Sequence, residues 1–120
     1  MPTQNNSLKD RLFRSSELTI TVIGRKSGRT ISLPIWFVLD DKQLYLLPVK
    51  GSDTQWYKNV VTRPSIRIEA GGAQAELKVD TTADPKQVKS VVEKFREKYG
   101  PGDVKKYYSK LDVAVLAQVD

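Results

Sequence analysis

Cysteine and histidine are both absent from this sequence. Without cysteine there is no disulfide, no thiol nucleophile and no thiolate metal centre. Without histidine the commonest general base and the commonest transition-metal ligand are missing. Ser-His-Asp and Cys-His catalysis are therefore excluded. A zinc site would have only carboxylates to build on, and no metal site is expected. No apolar run is long enough to span a bilayer. The segment Met1 to Asp10 is polar and lacks the apolar stretch of a secretion signal, so a cytoplasmic location is expected. Internal repeats and low-complexity segments are not evident.

What is present is enough for one core. The chain has 120 residues, 39% hydrophobic and 28% charged, with a formal net charge of +6. That excess favours anionic partners: phosphorylated cofactors, nucleic acid or acidic lipid. Lys9, Arg11, Arg14, Arg25, Lys26 and Arg29 crowd the first quarter with few acids nearby. The later basic residues are mixed with Glu93, Glu97 and Asp103 and read as a solvated helix face.

Ser7 is expected to cap a short helix through Arg14, with Leu8, Leu12 and Phe13 on one side. Strands are expected at Glu17 to Ile23, Ile31 to Leu39, Gln43 to Val49, Ser65 to Ala70, Ala73 to Asp80 and Asp112 to Val119. Pro34 forfeits a ladder bond and marks an edge, a bulge or a ligand-facing position. Short helices are expected from an Asp53 cap through Val60 and from Asp103 to Ser109. A longer one starts at Asp84-Pro85 and stops at Gly100. Six strands with few helices and no βαβ alternation give an α+β chain, mainly β, folded as a small antiparallel barrel.

Two turns carry the candidate chemistry. Gly24-Arg25-Lys26-Ser27-Gly28 joins two strand-like runs and combines two cations, a hydroxyl and two glycines. Such a turn can gather backbone N–H groups and charge around a phosphate or carboxylate, or it is a hairpin turn with solvated charge. Lys50-Gly51-Ser52 is a second anion-friendly turn, followed by Trp56 and Asn59 on one helix face. An aromatic surface plus an amide can hold a flat heterocycle; the alternative places Trp56 in the core and Asn59 at a cap.

In order and spacing, Gly-Arg-Lys-Ser-Gly (24 to 28), Leu33-Pro34, Lys50-Gly51, Gln55-Trp56-Tyr57-Lys58-Asn59-Val60 and Pro64 resemble the deazaflavin-dependent nitroreductase family. The resemblance runs from about Leu18 to the end. It implies a six-stranded antiparallel split β-barrel of the FMN-binding kind over residues 17–120, preceded by an N-terminal helical segment, 1–16. It also implies a homodimer. The implied cofactor is coenzyme F-420, the 8-hydroxy-5-deazaflavin, with FMN as the alternative. By position, Lys26, Ser27 and Gly28 would hold the coenzyme's phosphate and tail, with Arg25 and Arg29 near its carboxylates. Leu33 and Pro34 would border the ring. Lys50 and Gly51 would lie close to the ring or its ribityl chain, and Trp56 and Asn59 would complete the pocket. Val49 stands where relatives can have a small hydroxyl residue before the Lys-Gly turn, and is taken as a cofactor-site position. Thr30-Ile31 and Ser52 also depart from the family pattern, at a basic residue and a second glycine.

The implied activity is hydride transfer from reduced deazaflavin to a small unsaturated, quinone or nitro acceptor. The coenzyme would carry that chemistry, so a chain without histidine or cysteine can perform it. Tyr99, Tyr107 and Tyr108 fall in the segment that lines the acceptor side in relatives, and Tyr99 and Tyr107 are the candidate proton donors. The alternative from another class is a non-enzymatic nucleic-acid-binding barrel. Against it, aromatic and basic residues do not interleave on any one strand, and no specific nucleic-acid partner is expected. The segment Ser7 to Arg14 is short and weakly amphipathic, which allows at most weak contact with a membrane surface.

Overall fold

Burial alternates along Leu18–Ile23 (β1) and Ser65–Ala70 (β5), as a strand with one face on a core requires. In the computed structural model, which describes residues 4–119 and the side chains of 8–119, these strands sit in one antiparallel sheet of seven. The others are Thr30–Ile35 (β2), Phe37–Asp40 (β3), Gln43–Leu46 (β4), Ala73–Thr82 (β6) and Ala114–Gln118 (β7). Their order is β2-β1-β5-β6-β7-β4-β3. The two edge strands, β2 and β3, are consecutive in the chain with only Trp36 between them. The sheet must therefore curl until its edges meet at one residue, which makes an antiparallel split barrel.

Trp36 also accounts for a corrected strand count, seven where six were expected. The run from Ile31 to Leu39 changes partner there. Ile35 is the last residue to pair with β1, opposite Leu18, and Phe37 is the first to pair with β4, opposite Leu46. Pro34 lies on the edge strand, where its missing N–H costs no interior ladder bond. The return strand ends at Leu46, short of the expected Val49, since Pro48 cannot donate to a ladder. Asp112 and Val113 lie outside the last strand, whose pairing starts at Ala114, opposite Thr82.

Four helices cover the barrel: Gln4–Phe13 (α1), Gln55–Thr62 (α2), Pro85–Tyr99 (α3) and Pro101–Tyr107 (α4). α1 begins before Ser7, so Ser7 is within the helix and does not cap it; its side chain lies outside the described residues. Leu8 and Leu12 are buried, whereas Phe13 is 63% exposed and does not share their face. The cap of α2 is Thr54 in place of the expected Asp53, and the helix runs on past Val60. The last short helix starts at Pro101, just after Gly100, whose φ of +93° ends α3 and opens α4.

The core has two parts. Ile20, Val22, Phe37, Leu44, Leu46, Val60, Ile66 and Ile68 fill the barrel, closed by Leu8 and Leu12 of α1 and by Trp56 of α2. Val88, Val91, Val92, Phe95 and Val104 pack α3 and α4 onto the outer face with Leu47, Tyr108 and Ala114. β7 serves both, with Val115 and Ala117 inward and Ala114 outward. No helix among the described residues is long and apolar enough to cross a membrane.

One polar knot fixes the second turn. Gly51 opens a 3₁₀ turn, Gly51–Asp53, and its backbone lies against Asp112. The Ser52 hydroxyl and backbone N–H donate to the two Asp112 oxygens at 2.6 and 2.9 Å. Lys110 adds ion pairs to Asp53 and Asp112. The Ser52 hydroxyl bond, more than any other group, holds the Asp112 carboxyl below the ordinary carboxylate range. A carboxyl lowered in the folded state contributes stability above its unfolded pKa and loses it as pH falls through the folded value. Thermal melts of Asp112→Asn are therefore expected to show a smaller loss of midpoint on acidification than the parent, with the two curves closest at low pH. Parallel curves across the acid range would show that Asp112 does not titrate differently on folding.

Candidate functional site

A cavity of about 570 Å³ opens between β2, the Leu47–Val49 segment, α2 and the end of α4. Its walls are mostly apolar: Ile31, Leu33, Pro34 and Ile35 along β2, Leu47 and Val49 across from them, and the rings of Trp36, Trp56, Tyr107 and Tyr108. Thr54, Gln55 and Asn59 supply polar groups from α2, and Glu17 is the lining carboxylate. This is the size and make-up of a small-molecule pocket: mostly apolar walls and a few polar groups.

The Gly24–Gly28 turn lies where β1 ends and β2 begins, at one end of the hairpin that forms the long wall. Gly28 has φ +72°, and its N–H donates to the Gly24 carbonyl at 2.9 Å. The turn is pinned to α2. Arg25 donates to Asn59 Oδ1 from its guanidinium (2.7 Å) and from its backbone N–H (3.1 Å), and to Gln55 Oε1 (3.0 Å). Asn59 is buried, so its amide oxygen needs those donors. Arg25 thus serves as a brace for the pocket wall. Lys26, Ser27 and Arg29 are exposed, and the Ser27 hydroxyl accepts the Arg29 N–H at 3.2 Å.

The sequence-derived candidates divide cleanly. Leu33, Pro34, Val49, Trp56, Asn59 and Tyr107 line the cavity. Arg25, Lys26, Ser27, Gly28 and Arg29 stand together in the turn beyond its end, and of these only Arg25 reaches lining residues. Lys50 is exposed and its backbone bridges to Lys110, while Gly51 is buried against Asp112; neither lines the cavity. Tyr99 is behind the wall. Its ring stacks on Trp36 at 4.1 Å with 6° between planes. Its hydroxyl accepts the Phe37 N–H at 3.0 Å and lies 2.7 and 2.8 Å from the carbonyls of Ser16 and Phe37. Burial, chiefly, pushes that hydroxyl up to about 12, with the Glu17 carboxylate adding to the rise. A hydroxyl tied to backbone in this way supports Trp36; it has no path to a ligand in the cavity.

Sequence reasoning missed Trp36, Glu17 and Ile35. Trp36 lies out of phase with the apolar alternation of Ile31, Leu33, Ile35 and Phe37, and the break between β2 and β3 at this residue puts its ring in the cavity wall. Tyr107 meets it edge-on at 5.4 Å and Tyr108 lies at 6.1 Å. Burial raises the Tyr108 hydroxyl above the ordinary phenol range.

No curated protein matches the sequence. Solved structures do match the fold. A structure of an F420-H2-dependent reductase, FDR-A, superposes with a TM-score of 0.67 at 18% identity, covering 86% of this chain and 94% of that one. A putative 5-nitroimidazole antibiotic resistance protein from Bacteroides thetaiotaomicron gives 0.72 at 11% identity, over 96% of this chain and 79% of that one. HutZ, a heme storage protein from Vibrio cholerae, gives 0.70 at 13% identity, over 99% and 92%. At such identities the likeness is one of fold, the split barrel, shared by proteins whose roles differ. The sequence itself matches one family over residues 9–115, nearly its whole length: the chain belongs to DUF2255, described as an uncharacterized protein conserved in bacteria.

Proposed function

We propose that the protein is an oxidoreductase that uses coenzyme F-420 to reduce a small unsaturated, quinone or nitro compound. The observation that carries the reading is the juxtaposition of a basic glycine turn with an aromatic cavity. The turn is braced to the pocket helix through Arg25, Asn59 and Gln55. The F420-H2-dependent reductase among the structures of the same fold supports it. The residues present fit such a coenzyme: the cavity walls are flat and apolar enough for a tricyclic ring, and the turn at its end offers cations and a hydroxyl to an anionic tail.

When bound, the coenzyme supplies a hydride, and the protein's work is seating and shielding. Lys26, Ser27 and Arg29 would hold the tail, with Gly28 giving the turn its shape. Leu33, Pro34, Val49, Trp56 and Asn59 would border the ring. Asn59 keeps its oxygen on Arg25, which leaves the amide N–H₂ to donate toward the cavity. The apolar walls exclude water, which strengthens every polar contact inside. Tyr107, exposed at the mouth, is the hydroxyl placed to pass a proton to a reduced acceptor. A homodimer is part of this reading, since Ile31, Val49 and Tyr107 leave apolar surface around the mouth.

FMN is the second reading, favoured by the commitment of Arg25 to Asn59. That bond leaves fewer free cations than a long polyanionic tail would use. An absorption spectrum of the purified protein distinguishes the two. Titration with the deazaflavin, followed by its fluorescence, tests the first. Binding tighter than tens of micromolar, about 6 kcal/mol or more, is expected, and its absence ends the deazaflavin reading. Lys26→Ala is expected to weaken coenzyme binding about tenfold and to leave the melting midpoint within about 2 °C, because an exposed lysine holds none of the core. A large loss of stability with intact binding would make Lys26 structural.

A further inference from the structure

We propose that Glu17 gives the cavity an acidic end that selects planar organic cations, such as N-alkylated heteroaromatic rings. The basic turn follows the last residue of β1, Ile23, and Glu17 precedes the first, Leu18. The two therefore lie at opposite ends of the β1–β2 hairpin. Six residues of strand separate them, roughly 20 Å at the rise of an extended chain. That exceeds the screening length of about 8 Å at physiological salt, so the turn's cations do not cancel the field of Glu17 at its own end.

The neighbours of Glu17 suit a cation. Leu18 pairs with Ile35, which brings Glu17, one residue earlier, beside Trp36, one residue later. Trp36 is held rigid from behind by the Tyr99 stack, with Tyr107 and Tyr108 at 5.4 and 6.1 Å. Three of these rings, Trp36, Tyr107 and Tyr108, line the cavity together with Glu17, and no lysine or arginine does. Aromatic faces around one carboxylate are the chemistry that recognises an organic cation. Glu17 forms no ion pair among the described residues. Lys98 donates to the Phe37 carbonyl at 2.8 Å with its ammonium 3.6 Å from the Phe37 ring; it keeps its charge but neither lines the cavity nor pairs with Glu17. The net charge of +6 repels cations from the molecule as a whole, so any preference for one must be local.

Identifying this cation as the acceptor rests on the redox reading above; its binding does not. The test therefore uses the protein without coenzyme. Quenching of tryptophan fluorescence is followed on adding N-methylquinolinium, 1-methylnaphthalene or 1-naphthoate, three bicyclic rings of similar size and different charge. The cation is expected to bind about tenfold tighter than the neutral ring, and the anion most weakly. Glu17→Gln is expected to cut the tenfold margin to about threefold, the part due to the rings, with an unchanged melting midpoint. Equal affinity for the cation and the neutral ring overturns the proposal. So does a Glu17→Gln protein that keeps the full margin. Cation preference in a protein that binds neither deazaflavin nor FMN would overturn the redox reading and leave this site standing.

Discussion

Trp56→Ala is expected to lower the melting midpoint by roughly 10–20 °C and to abolish measurable coenzyme binding. The first effect follows from position. Trp56 is 5% exposed and belongs to the barrel core with Val60, Ile20 and Phe37. Truncating a buried tryptophan costs about 3–5 kcal/mol, from lost transfer energy and an unfilled cavity. For a chain of this size each kcal/mol is worth about 3–5 °C. The second effect follows because the same ring lines the cavity. Trp56→Phe separates the two roles. A smaller ring refills much of the core, so most of the midpoint should return while binding stays impaired by the lost contact area. Calorimetry on both variants, beside a coenzyme titration, decides it. A midpoint within about 3 °C of the parent for Trp56→Ala would mean that the ring packs far less tightly than its burial implies.

Gly51→Ala is expected to cost about 2–4 kcal/mol, well beyond what an alanine at a turn usually costs. Gly51 has φ +56°, which alone disfavours a side chain by about 1–2 kcal/mol. A Cβ there would also meet Asp112 Oδ1 head-on and sit 3.0 Å from the Lys110 carbonyl. Relief would require Asp112 to leave Ser52, whose hydroxyl and N–H both depend on it. Gly28→Ala is the control. Its φ of +72° is similar, but nothing lies within 4 Å of the added carbon. Only the backbone cost, about 1–2 kcal/mol, is expected there. Denaturant unfolding of both variants should separate them by at least about 1 kcal/mol. In the Gly51→Ala, Asp112→Ala double variant the clash with the Asp112 carboxylate is gone, although the Lys110 contacts remain, so the two costs should sum to more than the double variant shows. Equal costs at the two glycines would mean that the Asp112 contact relaxes freely.

The two glycine turns are physically different, and their composition did not reveal it. Both read as anion-friendly loops of the same kind. The first keeps Lys26 and Ser27 exposed at the end of a pocket, while the second spends its donors on Asp112, sixty residues away in sequence. A turn's free donors are set by what the rest of the chain brings to it. The same holds for Arg25, which reads as an anion ligand until Asn59 and Gln55 are placed against it.

Read by itself, the sequence determined a good deal. Six strand-like runs joined by short turns, with few helices and no βαβ alternation, were enough for an antiparallel β architecture, because strands so closely connected pair with their neighbours. The absence of histidine and cysteine excluded Ser-His-Asp and Cys-His catalysis. Leu33, Pro34, Val49, Trp56, Asn59 and Tyr107 were legible as a group through the resemblance and do share one cavity. Tertiary structure alone decided the rest. Trp36 became a wall because the sheet's two edges meet at it, a consequence of strand order that no local pattern encodes. Tyr99 turned to the backbone of Phe37 and Ser16, and Glu17 reached the far end of the pocket, because pairing across dozens of residues set their neighbours. Local pattern chooses the strand; long-range pairing chooses what each side chain faces.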